Sequence, residues 1–162
     1  ISKLLPKKGW NCSVQDTREA FTTTELYPEA IERSHSTVEA FFNNETAESL
    51  SRFSDVLLLG HDYSEDLDRL QRLLQLAEGA DVSPDGKAFP RIGAIGSRSK
   101  WKSFTDSCIE VGIQPSSLDR VRCPIGLNIG AESPEEIAIA VIAEILSMHK
   151  DADVHAPNWR NQ

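Results

Sequence analysis

The sequence predicts an α/β fold, a parallel sheet with helices on both faces. Three observations carry that expectation. Residues 55–60 (D-V-L-L-L-G) and 92–95 are short unbroken apolar runs bounded by turn residues, the pattern of strands buried on both faces of a parallel sheet. Each run is followed by a helical period, over 65–78 and then from 98 through 109. A glycine loop at 122–132 leads into a well-capped, strongly apolar helix. Strands alternating in this way with helices argue for a doubly wound sheet.

In chain order, residues 2–8 read as the end of a helix stopped by Gly9. Residues 10–15 alternate and form a short strand ending at Asp16. A helical turn is expected within 24–30, a short strand at 35–38, and a helix over 45–53 capped by Asn44. The helix at 65–78 lines up Leu67, Leu70, Leu73, Leu74 and Ala77 on one face. The polar stretch 79–90 is longer than the usual αβ connection of about 2–6 residues. After the strand at 92–95, Gly96-Ser97-Arg98 turns the chain into a helix, which Gly112 ends.

A turn of helix at Pro115–Leu118 and a strand at 121–123 precede the loop carrying Gly126 and Gly130. Ser133 is an N-cap, Pro134 takes the first helical position, and Glu136 completes a capping box for a helix running to Met148. Ile137, Val141, Ile145 and Met148 line one side of it, and Ile139, Ile142 and Leu146 another. Only Glu136, Ala140, Glu144 and Ser147 are left as a narrow polar or small stripe for water. The helix is therefore expected between two layers, one of them from a second copy of the chain. Residues 151–162 lack periodicity and read as a surface tail, so the domain spans 1–150.

The totals exclude several classes. With 162 residues and 40% apolar content, the chain suits one globular domain. It has no unbroken apolar run of about 18 residues for a membrane span, and no N-terminal apolar segment for a signal peptide. Cys12, Cys108 and Cys123 show neither metal spacing nor a disulfide framework, which points to a reducing cytoplasm. A net charge of −8 argues against nucleic acid. Yet residues 91–122 hold six basic residues against three acidic ones, a net +3 that leaves −11 for the remainder. A local basic patch on an acidic chain fits a small anion.

The candidate binding residues cluster at predicted strand ends, where open α/β sheets take their ligands. Asp16, with Arg18 two residues on, stands where dinucleotide folds place the acid that holds ribose hydroxyls; Asp also commonly begins turns. His61 and Asp62 follow the second strand, as ligand contacts or as caps of the next helix. The strongest group is Gly93, Gly96, Ser97, Arg98 and Lys100, a strand, glycine turn and helix start whose N–H groups and dipole converge on one point. Gly126 and Gly130 are expected to form the facing wall. The plainer alternative pairs Arg98 with a surface carboxylate. No arrangement of residues suited to catalysis is visible.

The blocks D-T-R (16–18), G-H-D (60–62), I-G-A-I-G-S-R (92–98) and C-P-I-G-L-N-I-G-A-E-S-P-E-E-I-A (123–138), with A-E-I (143–145), resemble the C-terminal Rossmann-like domain of the xanthine dehydrogenase accessory factor family (XdhC/CoxI type). The similarity runs from about residue 1 to 150. It implies a factor that binds the molybdenum cofactor (molybdopterin) or a nucleotide and hands the cofactor to a molybdenum hydroxylase apoenzyme; the cysteine pattern adds a cytoplasmic location and the apolar helix a homodimer. Asn128 stands where the family commonly has Asp, and Ser99 where it often has a basic residue. The family's first strand and glycine-rich turn are expected upstream of Ile1. Other functions for the same architecture are a non-catalytic docking module and an NAD-dependent oxidoreductase.

Overall fold

The computed structural model describes residues 1–80 and 88–155. Residues 81–87 of the long polar stretch and 156–162 of the expected tail lie outside them. Contacts group the chain into two compact units, one of residues 2–124 and one of Ile1 with the residues from Ile125 onward.

In the first unit a 3-10 turn at Pro6–Lys8 is closed by left-handed Gly9. It is followed by β1 (Ser13–Asp16), a 3-10 turn at Glu19–Phe21, β2 (Glu32–His35), α1 (Val38–Phe42) and α2 (Ala47–Leu50). Then come β3 (Asp55–Leu58), α3 (Tyr63–Glu78), β4 (Arg91–Ala94), α4 (Arg98–Glu110), α5 (Pro115–Leu118) and β5 (Val121–Arg122). Among the described residues all strand pairs are parallel, and the pairing makes two sheets, β1-β2 and β3-β4-β5.

The two apolar runs are parallel neighbours as expected, with Val56 opposite Ile92 and Leu58 opposite Ala94. The pattern of burial on both faces also places both runs centrally in a sheet. Among the described residues β4 alone is paired on both sides, whereas β3 is the edge strand of its sheet and only Leu58 of it is buried, contrary to that expectation. The lower end of the pair is pinned by a two-pronged bridge, Arg91 Nε to Asp55 Oδ1 at 2.7 Å and Nη2 to Oδ2 at 2.9 Å. Leu70, Leu73 and Leu74 of α3, Phe104 and Cys108 of α4, Leu50 and Ile92 form the core. Burial pushes the Cys108 thiol up to about 11.

Three local expectations fail. The strand at 35–38 is displaced to Glu32–His35, and Val38 instead opens α1 because the Thr37 side chain accepts the Ala40 N–H. The second short helix is capped by Thr46 and not by Asn44, through a capping box with Ser49. Residues 24–30 contain turns but no helix.

In the second unit, α6 (Pro134–Lys150) has the expected capping box between Ser133 and Glu136. Its expected wet stripe is turned inward at two of four positions: Ala140 and Glu144 are buried, Glu136 is exposed as expected, and Ser147 is half-buried. Ala140, Val141, Glu144 and Ile145 are buried, whereas Ile137 is 37% exposed and Ile139 54%. The reason lies in the preceding loop: Gly126 N–H donates to Glu144 Oε2, and Leu127 N–H donates to the Ala140 carbonyl at 3.1 Å. The loop backbone needs an acceptor on that face, so the carboxylate turns inward.

Candidate functional site

In the first unit, three parallel strands send their C-terminal ends into polar turns. β1 delivers Asp16 and Arg18, β3 delivers Gly60, His61 and Asp62, and β4 delivers Gly96 through Lys100. α3 ties the first of these to the second. Thr17 Oγ1 donates to Glu65 Oε1 at 2.7 Å, and Arg69 spans from Glu65 to Gln15 Oε1 at 3.1 Å.

At the end of β1, the Asp16 carboxylate is enclosed by Arg18, which donates its N–H and Nε to Oδ1 and its Nη2 to Oδ2, each at 2.9 Å. Those side-chain bonds are the main reason its acidity is strengthened below the usual carboxylate range. Arg18 also stacks on Phe21 at 3.8 Å and meets His61 Nε2 at 3.3 Å. Asp16, Arg18 and His61 are thus brought together, but the acid predicted to receive ribose hydroxyls already holds an arginine. Asp62 acts as the cap foreseen as its alternative. It accepts the Ser64 hydroxyl at 2.6 Å and the Glu65 N–H at 3.0 Å, and these lower its pKa.

At the end of β4, Ser97 is the N-cap of α4, its Oγ accepting the Lys100 N–H at 3.2 Å. The first N–H groups of a helix have no intrahelical partner, so those of Arg98 and Ser99 face the turn. Arg98 is exposed and its side chain makes no hydrogen bond or ion pair with any described residue, unlike the surface-bridge alternative. Other cations of the basic segment are committed: Arg91 to Asp55, Lys102 to Asp106 at 2.6 Å, and Lys100 to Asp66 at 3.0 Å. Gly93 lies inside β4, buried and paired with Leu57 and Arg122, away from the strand end.

Sequence reasoning missed Asp66. It is 1% exposed, in the first turn of α3, and salt-bridged to Lys100 across the ends of β3 and β4. A signal was present: Asp66 sits four and seven positions before Leu70 and Leu73, an acid on the apolar face of its helix. Gly126 and Gly130 belong to the second unit. Gly126 has φ +120°, and a Cβ there would lie 3.3 Å from both the Ala140 Cβ and the Val141 nitrogen, so packing alone accounts for that glycine. Among the described residues no group of three or more His, Cys, Asp or Glu is placed to hold a metal ion, and no helix is long and apolar enough to cross a membrane.

Comparison with known proteins bears on this arrangement. A family model described as the XdhC Rossmann domain matches residues 1–145. The uncharacterized protein YqeB of Escherichia coli (strain K12) is 29% identical over 144 residues, 89% of this chain and 24% of that protein. A protein of Bacillus subtilis (strain 168) described as a probable xanthine dehydrogenase subunit is 28% identical over 151 residues, 93% of this chain and 39% of that one. Among solved structures, a xanthine dehydrogenase from Bacillus halodurans superposes with a TM-score of 0.71 at 22% identity, over 93% of this chain and 40% of that one, a likeness of fold. The chain spans between a quarter and two fifths of the length of these proteins.

Proposed function

The chain belongs to the XdhC Rossmann-domain family, and from that premise we propose that it serves the maturation of molybdenum hydroxylases of the xanthine dehydrogenase type. In this reading the turn after β4 holds the phosphate-bearing end of the molybdenum cofactor, or a nucleotide. The observation that carries it is Arg98, whose guanidinium has no protein partner among the described residues, in the first turn of α4. An unpaired arginine can grip a phosphate with two parallel hydrogen bonds, and the helix end adds N–H groups and positive potential.

The residues present fit the anionic end of such a ligand. Gly96 keeps the turn open where a Cβ would press on the Lys100 chain at 3.0 Å. His61 and Arg18 lie at the neighbouring strand ends as further polar contacts. The bound cofactor would supply the redox chemistry of the enzyme that receives it; this chain's residues would bind and orient it, as a carrier and not a catalyst. The exposed Ile129, Ile137 and Ile139 of the second unit favour a companion role, docking through that unit to a second copy or to the apoenzyme.

A reconstitution assay tests the reading. Cofactor preincubated with this chain is expected to activate a molybdenum hydroxylase apoenzyme faster than free cofactor does. Equal rates with and without the chain would count against it.

A further inference from the structure

This inference rests on the reading of the turn after β4 as an anion site, and concerns a residue that reading leaves unexplained. Asp66 is 1% exposed, and burying a carboxylate is costly unless it is paired. Its Oδ2 accepts Lys100 Nζ at 3.0 Å. Its Oδ1 accepts no hydrogen bond, and Arg69 Nη1 stands 3.8 Å from it. A Cβ on Gly60 would lie 2.2 Å from Asp66 Oδ1 and 2.9 Å from its Cγ, too close to accommodate. A Cβ on Gly96 would lie 3.0 Å from Lys100 Cδ and 3.4 Å from its Cβ and Cγ. Both adjacent strand ends therefore carry glycine where one partner of the same ion pair passes.

We propose that Asp66 is a positioning residue of the anion site, fixing the Lys100 ammonium at the C-terminal ends of β3 and β4, with Gly60 and Gly96 providing the room. Lysine is among the side chains that lose most rotamer freedom when ordered. Lys100 is already ordered by Asp66 and lies 5.1 Å from the Phe104 ring centroid, so an incoming phosphate does not bear that cost again. Asp66 and Lys100 together are neutral, so the net positive charge comes from Arg98 and the helix end. That balance suits one phosphate or pyrophosphate group. Asp66 acts through Lys100 and does not touch the ligand.

Inorganic pyrophosphate is the probe, titrated calorimetrically into the whole chain. Wild type is expected to bind, and Asp66→Asn to bind about tenfold more weakly, within the coupling range of neighbouring charged groups. In a Lys100→Met background the same change is expected to alter affinity by less than about twofold, since the carboxylate then has nothing to position. Removing one partner of a buried pair can itself unfold a protein, so a second measurement uses the unmodified chain. The Lys100 Nζ resonance is expected to shift as pyrophosphate is added. Two results overturn the positioning role while leaving the site intact: Asp66→Asn binding as tightly as wild type, or tighter, with Arg98→Ala weakened; or a Lys100 resonance unmoved at saturation. Absence of binding by wild type overturns the role and the site together.

Discussion

Gly126 separates two kinds of glycine that look alike in a sequence. In the loop C-P-I-G-L-N-I-G it has the appearance of a ligand-binding position, yet its φ of +120° and its approach to Ala140 and Val141 are demands of packing. Gly126→Ala should therefore lower stability by about 1–3 kcal/mol, the usual cost of a side chain in such a conformation. Chemical denaturation measures this, and an unchanged unfolding midpoint would contradict the packing role. Gly60 is the converse. In the sequence it bounds a strand and opens the G-H-D block, but in the structure it leaves space for a buried carboxylate. Neither role is written in the residue itself. Each depends on which side chain another element brings across it, and that is decided by tertiary packing.

At the scale of elements, what the sequence makes plain is what local forces decide. The helices at Tyr63–Glu78, Arg98–Glu110 and Pro134–Lys150 were legible in outline, the first and last also through their caps, Asp62 and Ser133, which each accept an N–H from three residues on; Ser97, read as an anion contact, caps the second in the same way. β3 and β4 were legible as unbroken apolar runs. β2 was not: Glu32–His35 is mostly exposed and carries no apolar pattern, so only its pairing with β1 makes it a strand. Division of the strands into two sheets was equally hidden, because pairing partners leave no local trace. The inward turn of Ala140 and Glu144 on α6 follows from the same limit. Periodicity shows that a helix has two kinds of face, but the loop hydrogen bonds to Glu144 and Ala140 decide which one turns inward. The site was half legible for this reason. The strand ends and the turn at Gly96 fall where the sequence places them, whereas the Asp66–Lys100 bridge needed two helices placed side by side.

For the whole molecule, the net charge is −8, so the proposed small-anion site would rest on Arg98, whose side chain has no partner among the described residues. Exposed Ile129 in the loop before α6 and exposed Ile137 and Ile139 on α6 form part of the reading of a homodimer, since large exposed apolar side chains tend to be covered by a partner. Sedimentation at micromolar concentration should accordingly give at least a dimeric mass, and a monomeric mass would contradict that assembly. The central claim is that the turn after β4 grips the phosphate end of a cofactor through Arg98. Calorimetric titration of isolated molybdenum cofactor into wild type and Arg98→Ala tests it most directly. Replacement should weaken binding by about 1.5–3 kcal/mol, as for a lost charged hydrogen bond, with little change in melting temperature. Equal affinities in two equally folded proteins would contradict the account.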